Sequence, residues 1–481
     1  MTGPLVVVGD ALLDVDLVGR SERLCPDAPV PVVDDVVEQA RPGGAALAAA
    51  LAAADGRDVV LIAPIASDAD GERLRSLLEN RLRLIGVPID GETAVKRRVR
   101  VNGQSLVRLD SGRVGSVIGA LPAEAVAALR NAAAVLVSDY GRGCTGRPDL
   151  RASLGHATPV VWDPHPRGAI PVTGVRLVTP NAAEAAQTTG RTGASLADIG
   201  RQADELVRTY EAGAVAVTLG SRGALLSYGG GAPLVVPAAH VASGDSCGAG
   251  DRFAATVAGL LADGALLTEA VAGAVWAATE FVAAGGAAGW ATAEFVAAGG
   301  AAAVFAPVGG PTRGAAGDPP AATSMDATAE QVFARVRASS GTTVATGGCF
   351  DLLHAGHIAT LRHARRLGDC LVVCLNSDDS VRRLKGTDRP LVPAVDRARV
   401  VAALGCVDAV VIFDEDTPEA VLCRLRPDVW VKGGDYAGAD LPEAPLLRSW
   451  NGQAVAVPYL EGRSTTGLIR ALSQPREDNH L

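Results

Sequence analysis

Short runs of Val, Ile and Leu, apolar from end to end, recur through this chain with Ala-rich stretches of helical length between them. The first part holds PLVVVGD, DVVLIAP, AVLVSDY, PVVWDP, RLVTPN and AVAVTLG, and the last third TTVATGG, CLVVCLNSD, AVVIFDED, DVWVKGGD and AVAVPYL. A strand without polar alternation must be buried on both faces, which places it in a parallel sheet covered by helices. Ligands of such sheets bind beyond the carboxyl ends of the strands. GD, SDYG, DP, TPN, TLG, GGCFD, NSD and KGGD all fall there. The chain therefore reads as α/β, with its chemistry at the strand ends.

At 481 residues it is too long for one ordinary core. Composition breaks at 306–324, APVGGPTRGAAGDPPAATS, where Pro and Gly supply 8 of the first 15 residues. No hydrophobic period survives there, as in a linker. The expected division is a domain over 1–305, a Pro/Gly-rich linker over 306–328 and a smaller domain over 329–481. Just before the break, WATAEFVAAGGAAA (290–303) nearly duplicates WAATEFVAAGGAAG (276–289). A 14-residue copy adds about four helical turns and presents nearly the same face as the first. It reads as a tandem duplication tolerated at a domain edge, with no function of its own.

The net charge of −9 excludes a general nucleic-acid or anionic-membrane binder, since both need a basic face. A local basic pocket for a small phosphorylated ligand remains open. Eight cysteines (25, 144, 247, 349, 370, 374, 406 and 423) show no CxxC pair and no metal-ligand spacing, which fits reduced thiols in a cytoplasmic protein. The opening MTGPLVVVGDALLDVD lacks a basic n-region and a long apolar core, so it reads as a strand and not a signal peptide. The most apolar region, about 265–308, carries Glu269, Glu280 and Glu294 and is a poor membrane span.

Two of only seven histidines stand three apart in GGCFDLLHAGH (347–357). The plain reading is a turn before a helix, with solvated or capping imidazoles. The chemical reading starts from Gly347 and Gly348, a pair that lets backbone N–H groups approach a phosphate while the following helix points its positive end there. His354 and His357 can then donate to phosphoryl oxygens as negative charge develops. Lys385 in VRRLKG and Lys432 in VKGGDY supply cations after later strands, although Lys385 is also a plain solvated helix-end lysine. GRSTTGLIR (462–470) brings the hydroxyls of Ser464, Thr465 and Thr466 to another helix start, and Asp351 and Asp378 can serve ribose or metal contacts. Cys349 reads as a small packing residue, not a nucleophile.

With GCFD before it and LNSDDSVRRLKG, RP at 389–390, FDEDTPE, RPDVWVKGGDY and EGRSTTGLI behind, His354-Ala355-Gly356-His357 resembles the motif of the HxGH-type nucleotidyltransferases, in their heptose 1-phosphate adenylyltransferase branch. The resemblance implies a Rossmann-like domain in which His354, His357 and Lys385 are catalytic. It places Gly347, Cys349, Phe350, Asp351, Asn376, Asp378, Lys432, Ser464, Thr465 and Thr466 on the nucleotide. Gly348 departs from the Asn of the branch's TNGCFD.

In SGDSCGAGDRF (243–253) the GAG run lets N–H groups line an anion hole at a helix start, and Asp251 follows, placed to take a proton from an attacking alcohol. Asp245-Ser246-Cys247-Gly248-Ala249-Gly250-Asp251 resembles the DTxGAGD signature of the ribokinase (PfkB) carbohydrate kinases. RPGGAALAAA (41–50) looks like their sugar-facing GG motif, TPNAAEA (179–185) like their NxxE motif and TLGSRGALL (218–226) like their nucleotide-binding turn. RLCPDAPVPVV (23–33), TAVKRRVRVNGQSLVRLD (93–110) and VSDYGRG (137–143) are similar to the heptose 7-phosphate kinase branch. The resemblance implies a ribokinase-like three-layer domain with Asp251 as base. Asp14, Gly43, Gly44, Lys96, Arg98, Gln104 and Arg108 then face the sugar phosphate, and Asn181, Glu184, Thr218, Gly220, Gly248, Ala249 and Gly250 the nucleotide, Glu184 also facing magnesium. Read without it, Asn181 and Glu184 make a capped helix start, and Lys96, Arg98 and Arg108 the solvated face of an amphipathic strand. Leu47 stands where the family has Asn, Ser105 replaces Gln, Arg142 replaces Lys and Ser246 replaces Thr.

Together the two resemblances imply a bifunctional enzyme of ADP-heptose formation that uses ATP in both domains with Mg2+ and takes heptose phosphates as substrates. They also imply a functional link to a separate sugar-bisphosphate phosphatase and leave room for a homodimer through the kinase domain. The competing expectations are another phosphosugar, a GDP-sugar product, or a binding protein with one decayed domain.

Overall fold

The computed structural model describes residues 3–101, 104–112, 119–154, 159–242, 244–297, 328–434 and 438–458. The linker expected at 306–328 falls almost wholly outside these residues, as do Ser464, Thr465 and Thr466. The chain divides into two compact units. One is Met1–Gly190 with Glu205–Ser221 and Ala239–Thr312, and the other Arg191–Asp204 with Arg222–Ala238 and Arg313–Leu481.

In the first unit the strands are β1 (Leu5–Gly9), β2 (Ala11–Leu24), β3 (Pro31–Gly44), β4 (Val59–Pro64), β5 (Arg83–Val87), β6 (Val95–Val101), β7 (Gln104–Ser111), β8 (Ala134–Ser138), β9 (Val160–Asp163), β10 (Leu177–Val178) and β11 (Val215–Thr218). Seven of them form a parallel sheet in the order β11-β10-β9-β8-β1-β4-β5. The six apolar runs of the first part supply six of these strands. The helix Ala45–Ala54, AALAAALAAA, is buried over most of its surface because its small side chains let it run through the core. A second sheet, β3-β2-β6-β7, is mixed: β2 runs antiparallel to β3 and parallel to β6. Its strands are rich in charge and, apart from the buried start of β2 and end of β3, only partly buried, so they leave no continuous apolar run in the sequence.

The second unit contains the antiparallel pair β12 (Ala224–Ser227) and β13 (Leu234–Val236), then β14 (Thr343–Gly348), β15 (Cys370–Asn376), β16 (Ala409–Phe413), β17 (Val429–Gly433) and β18 (Gln453–Val457). The last five form a parallel run in the order β16-β15-β14-β17-β18, a doubly wound arrangement with β14 central. The helix Ala329–Ala338 starts at a reciprocal capping box between Thr328 and Gln331 and sets Val332, Phe333 and Val336 against Val372, Leu422 and Trp430. Each such side chain, fully buried, contributes about 1.5–3 kcal/mol.

The first repeat copy ends the helix Leu267–Ala283, and the chain then turns through 76° into the helix Gly286–Ala297. No single helix among the described residues is long and apolar enough to cross a membrane.

Candidate active sites

In the first unit the ends of β8, β9, β10 and β11 converge on the start of the helix Ala249–Ala262. A pocket there is lined by Asp139, Tyr140, Asp163, Pro164, His165, Thr179, Asn181, Glu184, Thr218, Gly248, Gly250 and Asp251. Gly248 occupies the N-cap position at φ 82°, so the turn delivers backbone N–H groups and the positive helix end to the pocket. Asp251, in the first helical turn, is buried, and the Tyr140 hydroxyl donates to its Oδ1 at 2.8 Å and its Oδ2 at 2.9 Å. Burial raises the Asp251 pKa to about 7, against the opposing pull of that hydrogen bond. Asp163 is raised well above the usual carboxylate range by burial and by the Asp251 charge, and it accepts the Thr179 hydroxyl at 2.8 Å.

The NxxE motif fulfils its plain reading and faces the pocket at once. Glu184 N–H donates to Asn181 Oδ1 and Asn181 N–H to Glu184 Oε2, both at 2.9 Å, opening the helix Ala182–Thr189. Burial raises the Glu184 pKa. Gly220 opens a short 3-10 turn after β11, beside Thr218.

On the sugar side, Asp14 is buried on β2 and accepts from Arg98 Nη1 at 3.0 Å. A side chain at Gly43 would strike the Asp14 carboxylate, and Gly44 turns the chain into the helix Ala45–Ala54. Lys96 Nζ lies 4.7 Å over the Tyr140 ring, and burial lowers its pKa. Arg108 is cross-strand to Arg98 but solvent-exposed and tied to Asp110 at 2.6 and 2.9 Å, and Gln104 is exposed on β7. Leu47, which stands where the family has Asn, is a core residue that packs with Leu51, Phe281 and Ala287, and Trp290 lies against them.

Sequence reasoning passed over Tyr140, Asp139, Asp163 and His165. Tyr140 and Asp139 stood in the quoted SDYG and Asp163 in VVWDP, so strand-end position alone was a usable signal for them.

The second unit gathers its histidines where the motif implies. The rings of His354 and His357 stack at 3.8 Å, and Phe350, at φ 45°, lies 5.3 Å from His357. His354 stands at the N-cap of the helix Ala355–Arg365, but its side chain makes no capping bond. Burial, the His354 charge and Lys385 lower the His357 pKa to about 4, so its imidazole is neutral near pH 7. Lys385, at the end of the helix Asp378–Lys385, reaches back to Cys349 Sγ at 2.9 Å. Lys432 Nζ pairs with the buried Glu443 at 2.9 Å and lies 5.3 Å over the Trp430 ring.

Three readings change. Asp351 is not open to ribose or metal: Oδ1 accepts the N–H groups of Leu391 and Val392 at 2.8 and 3.0 Å, and Oδ2 pairs with Arg389. Asp378 Oδ1 accepts Ala394 N–H and Arg397 Nη2, each at 2.8 Å, and so ties two helix starts together. Gly347 has a packing reason of its own, since a Cβ there would lie 2.5 Å from the Trp430 ring. Asn376, at the end of β15, donates to Ser380 Oγ at 3.0 Å.

Residues 4–293 match the pfkB family carbohydrate kinase model and residues 345–469 the cytidylyltransferase-like model. The chain is 58% identical to bifunctional protein HldE of Streptomyces coelicolor, over 97% of this chain and 96% of that one. With the protein of the same name from Azorhizobium caulinodans the identity is 38%, over 97% of each. A solved structure of Arabidopsis thaliana ribokinase complexed with ribose and ATP matches with TM-score 0.48 and 21% identity, over 59% of this chain and 93% of that one.

Proposed function

We propose, from the premise that this chain belongs to the bifunctional HldE family, that its two parts catalyse two steps toward ADP-heptose. The first transfers the ATP γ-phosphoryl group to the C1 hydroxyl of D-glycero-β-D-manno-heptose 7-phosphate. The second joins heptose 1-phosphate to the AMP moiety of ATP and releases pyrophosphate. The observation that carries the first step is Asp251, buried at a helix start beside a glycine turn and held by Tyr140.

Phosphoryl transfer needs positioning, neutralisation of charge and one base. Asp251 takes the C1 hydroxyl proton as oxygen attacks phosphorus, while the N–H groups after Gly248 receive the phosphoryl oxygens. Lys96 and Arg98 hold the 7-phosphate, with Asp14 orienting Arg98. Asn181, Glu184, Thr218 and Gly220 receive ATP. No group of three or more His, Cys, Asp or Glu among the described residues makes a metal cage. Mg2+ is held largely by nucleotide phosphates and water with one or two carboxylates. Glu184 is the carboxylate we assign to it, and the ion would neutralise phosphate charge.

In the second step, His354, His357, Lys385 and Lys432 bear on the triphosphate. The imidazoles of His354 and His357 donate N–H to oxygens that gain charge as pyrophosphate leaves. A separate phosphatase removes the 7-phosphate between the steps, and we place the enzyme in the cytoplasm. The exposed Val36 and Val37 of β3 and Leu106, Val107 and Leu109 of β7 support a homodimer through the small sheet, which sedimentation would report.

The test is incubation of the protein with heptose 7-phosphate, ATP and magnesium, with and without a 7-phosphatase, read by mass spectrometry. The bisphosphate should form without the phosphatase and ADP-heptose with it. Absence of both products would overturn the proposal, and turnover of a different phosphosugar would redirect it.

A further inference from the structure

Four charged side chains of the first unit that the proposed mechanism does not use form a continuous series of ion pairs. Arg41, near the end of β3, donates from Nη1 to Asp16 Oδ2 at 2.7 Å and from Nη2 to Oδ1 at 3.4 Å. Asp16 Oδ2 also accepts from Arg100 Nη1 at 3.2 Å, and the same nitrogen donates to Asp245 Oδ2 at 2.9 Å. Asp245 in turn accepts Cys247 N–H on Oδ1 at 3.0 Å. Asp16 and Arg41 are 0% and 2% exposed, and the Arg100 side chain 11%. The series starts in the small sheet and ends on the backbone that turns through Gly248 into the Asp251 helix.

That backbone is gripped from the other side as well. Ala287 N–H donates to Cys247 O at 3.0 Å, and Gly286, at φ 62°, passes so close that a Cβ would lie 2.1 Å from Asp245 O. On β6, meanwhile, Lys96, Arg98 and Arg100 alternate onto one face. The first two are the cations assigned to the sugar 7-phosphate, so one strand serves the sugar at one end and the phosphate turn at the other.

We infer that Arg100 is a positioning residue of the kinase, bridging Asp16 and Asp245 so that the sugar-binding strand holds the Asp245–Asp251 turn in its working geometry. Largely buried ion pairs add little net stability over apolar packing, and their directional bonds select one arrangement. If Arg100 is lost, Asp16 keeps Arg41, so the consequence falls on the position of the turn. Misplacing a reacting group by about 1 Å can cost roughly 10²-fold in rate.

The inference rests on the kinase reading above, and the full-length protein tests it. Arg100→Gln should lower the kinase kcat by about 10- to 100-fold with the sugar KM nearly unchanged. Adenylyl transfer, assigned to the second unit, should stay as in the wild type, and an unchanged thermal melt of the first unit checks its folding. Asp245→Asn keeps an acceptor for Cys247 N–H but loses the charge, and should match Arg100→Gln. The double variant should be no slower than the slower single, because both break one link. Arg100→Lys should recover much of the rate. Wild-type kcat in Arg100→Gln, multiplying effects in the double variant, or a raised sugar KM at intact kcat would each overturn the assignment, the last by placing Arg100 on the substrate. Hydrogen exchange needs no sugar and separates this failure from failure of the kinase reading. The peptide over 244–251 should exchange faster in Arg100→Gln, and unchanged exchange would overturn the tether.

Discussion

At the scale of single residues, Asp251 and His357 titrate far from their usual ranges, and burial is the main cause in both. Asp251 must be ionised to accept a proton, so kinase kcat/KM should rise through pH about 7. Asp251→Asn should lower kcat by about 10²–10⁴-fold and leave ATP binding nearly intact. Its stability effect has a definite sign. A carboxyl whose pKa is raised by folding contributes fully below its unfolded value of 3.8, and that contribution is lost as pH rises through about 7. Asp251→Asn, never charged, should therefore melt higher than the wild type above pH 7, while the two should converge in acid. An equal difference at all pH values would count against a buried ionising Asp251. For His357, substitution by Ala should lower adenylyl-transfer kcat by about 10²–10³-fold. A mere helix cap would instead cost about 1 kcal/mol of stability with kcat intact. His354, the residue at the N-cap, makes no capping bond, which argues for the kinetic outcome. Assays of both half-reactions with a thermal melt distinguish the two, and kinase activity should be unchanged.

At the scale of elements, the repeat shows how equal sequences acquire unequal roles. Trp276 and Trp290 hold the same place in their copies, yet Trp276 is 60% exposed while Trp290 packs against Leu47, Leu51 and Phe281. The expectation that the second copy presents nearly the same face assumes one continuous helix, and the 76° bend beginning at Gly285-Gly286 breaks that phase. Trp290→Ala should destabilise the first unit by about 1–3 kcal/mol, less than a fully buried Trp, while Trp276→Ala should leave the melt unchanged. Equal shifts would refute the difference. The eleven apolar runs were legible as strands because continuous burial leaves a continuous apolar signature. The small sheet was less so: β6, VKRRVRV, is rich in cations, and Arg98 and Arg100 find Asp14, Asp16 and Asp245 only in the folded chain.

At the scale of the whole molecule, the two reactions should be separable although they share a chain. The 7-phosphate has to be removed by another enzyme, so the intermediate must leave the first site in any case. A mixture of the Asp251→Asn and His357→Ala proteins, with the phosphatase and ATP, should therefore restore ADP-heptose formation that neither variant supports alone. Mass spectrometry checks it, and failure of the mixture while each retained half-reaction runs normally would show that the intermediate does not pass freely between molecules.

By itself the sequence determined the parallel strands, the two motif sets and the turns at which they stand, because apolar run length and glycine placement act locally. Only the tertiary structure decided what each charged or aromatic group does. Asp251 became a buried acid under Tyr140, Asp351 a clamp for Arg389 and the N–H groups of Leu391 and Val392, and Leu47 part of a core cluster. Those outcomes depend on burial and on partners distant in the chain, such as residue 140 for Asp251 and residue 245 for Arg100, and no local pattern encodes them.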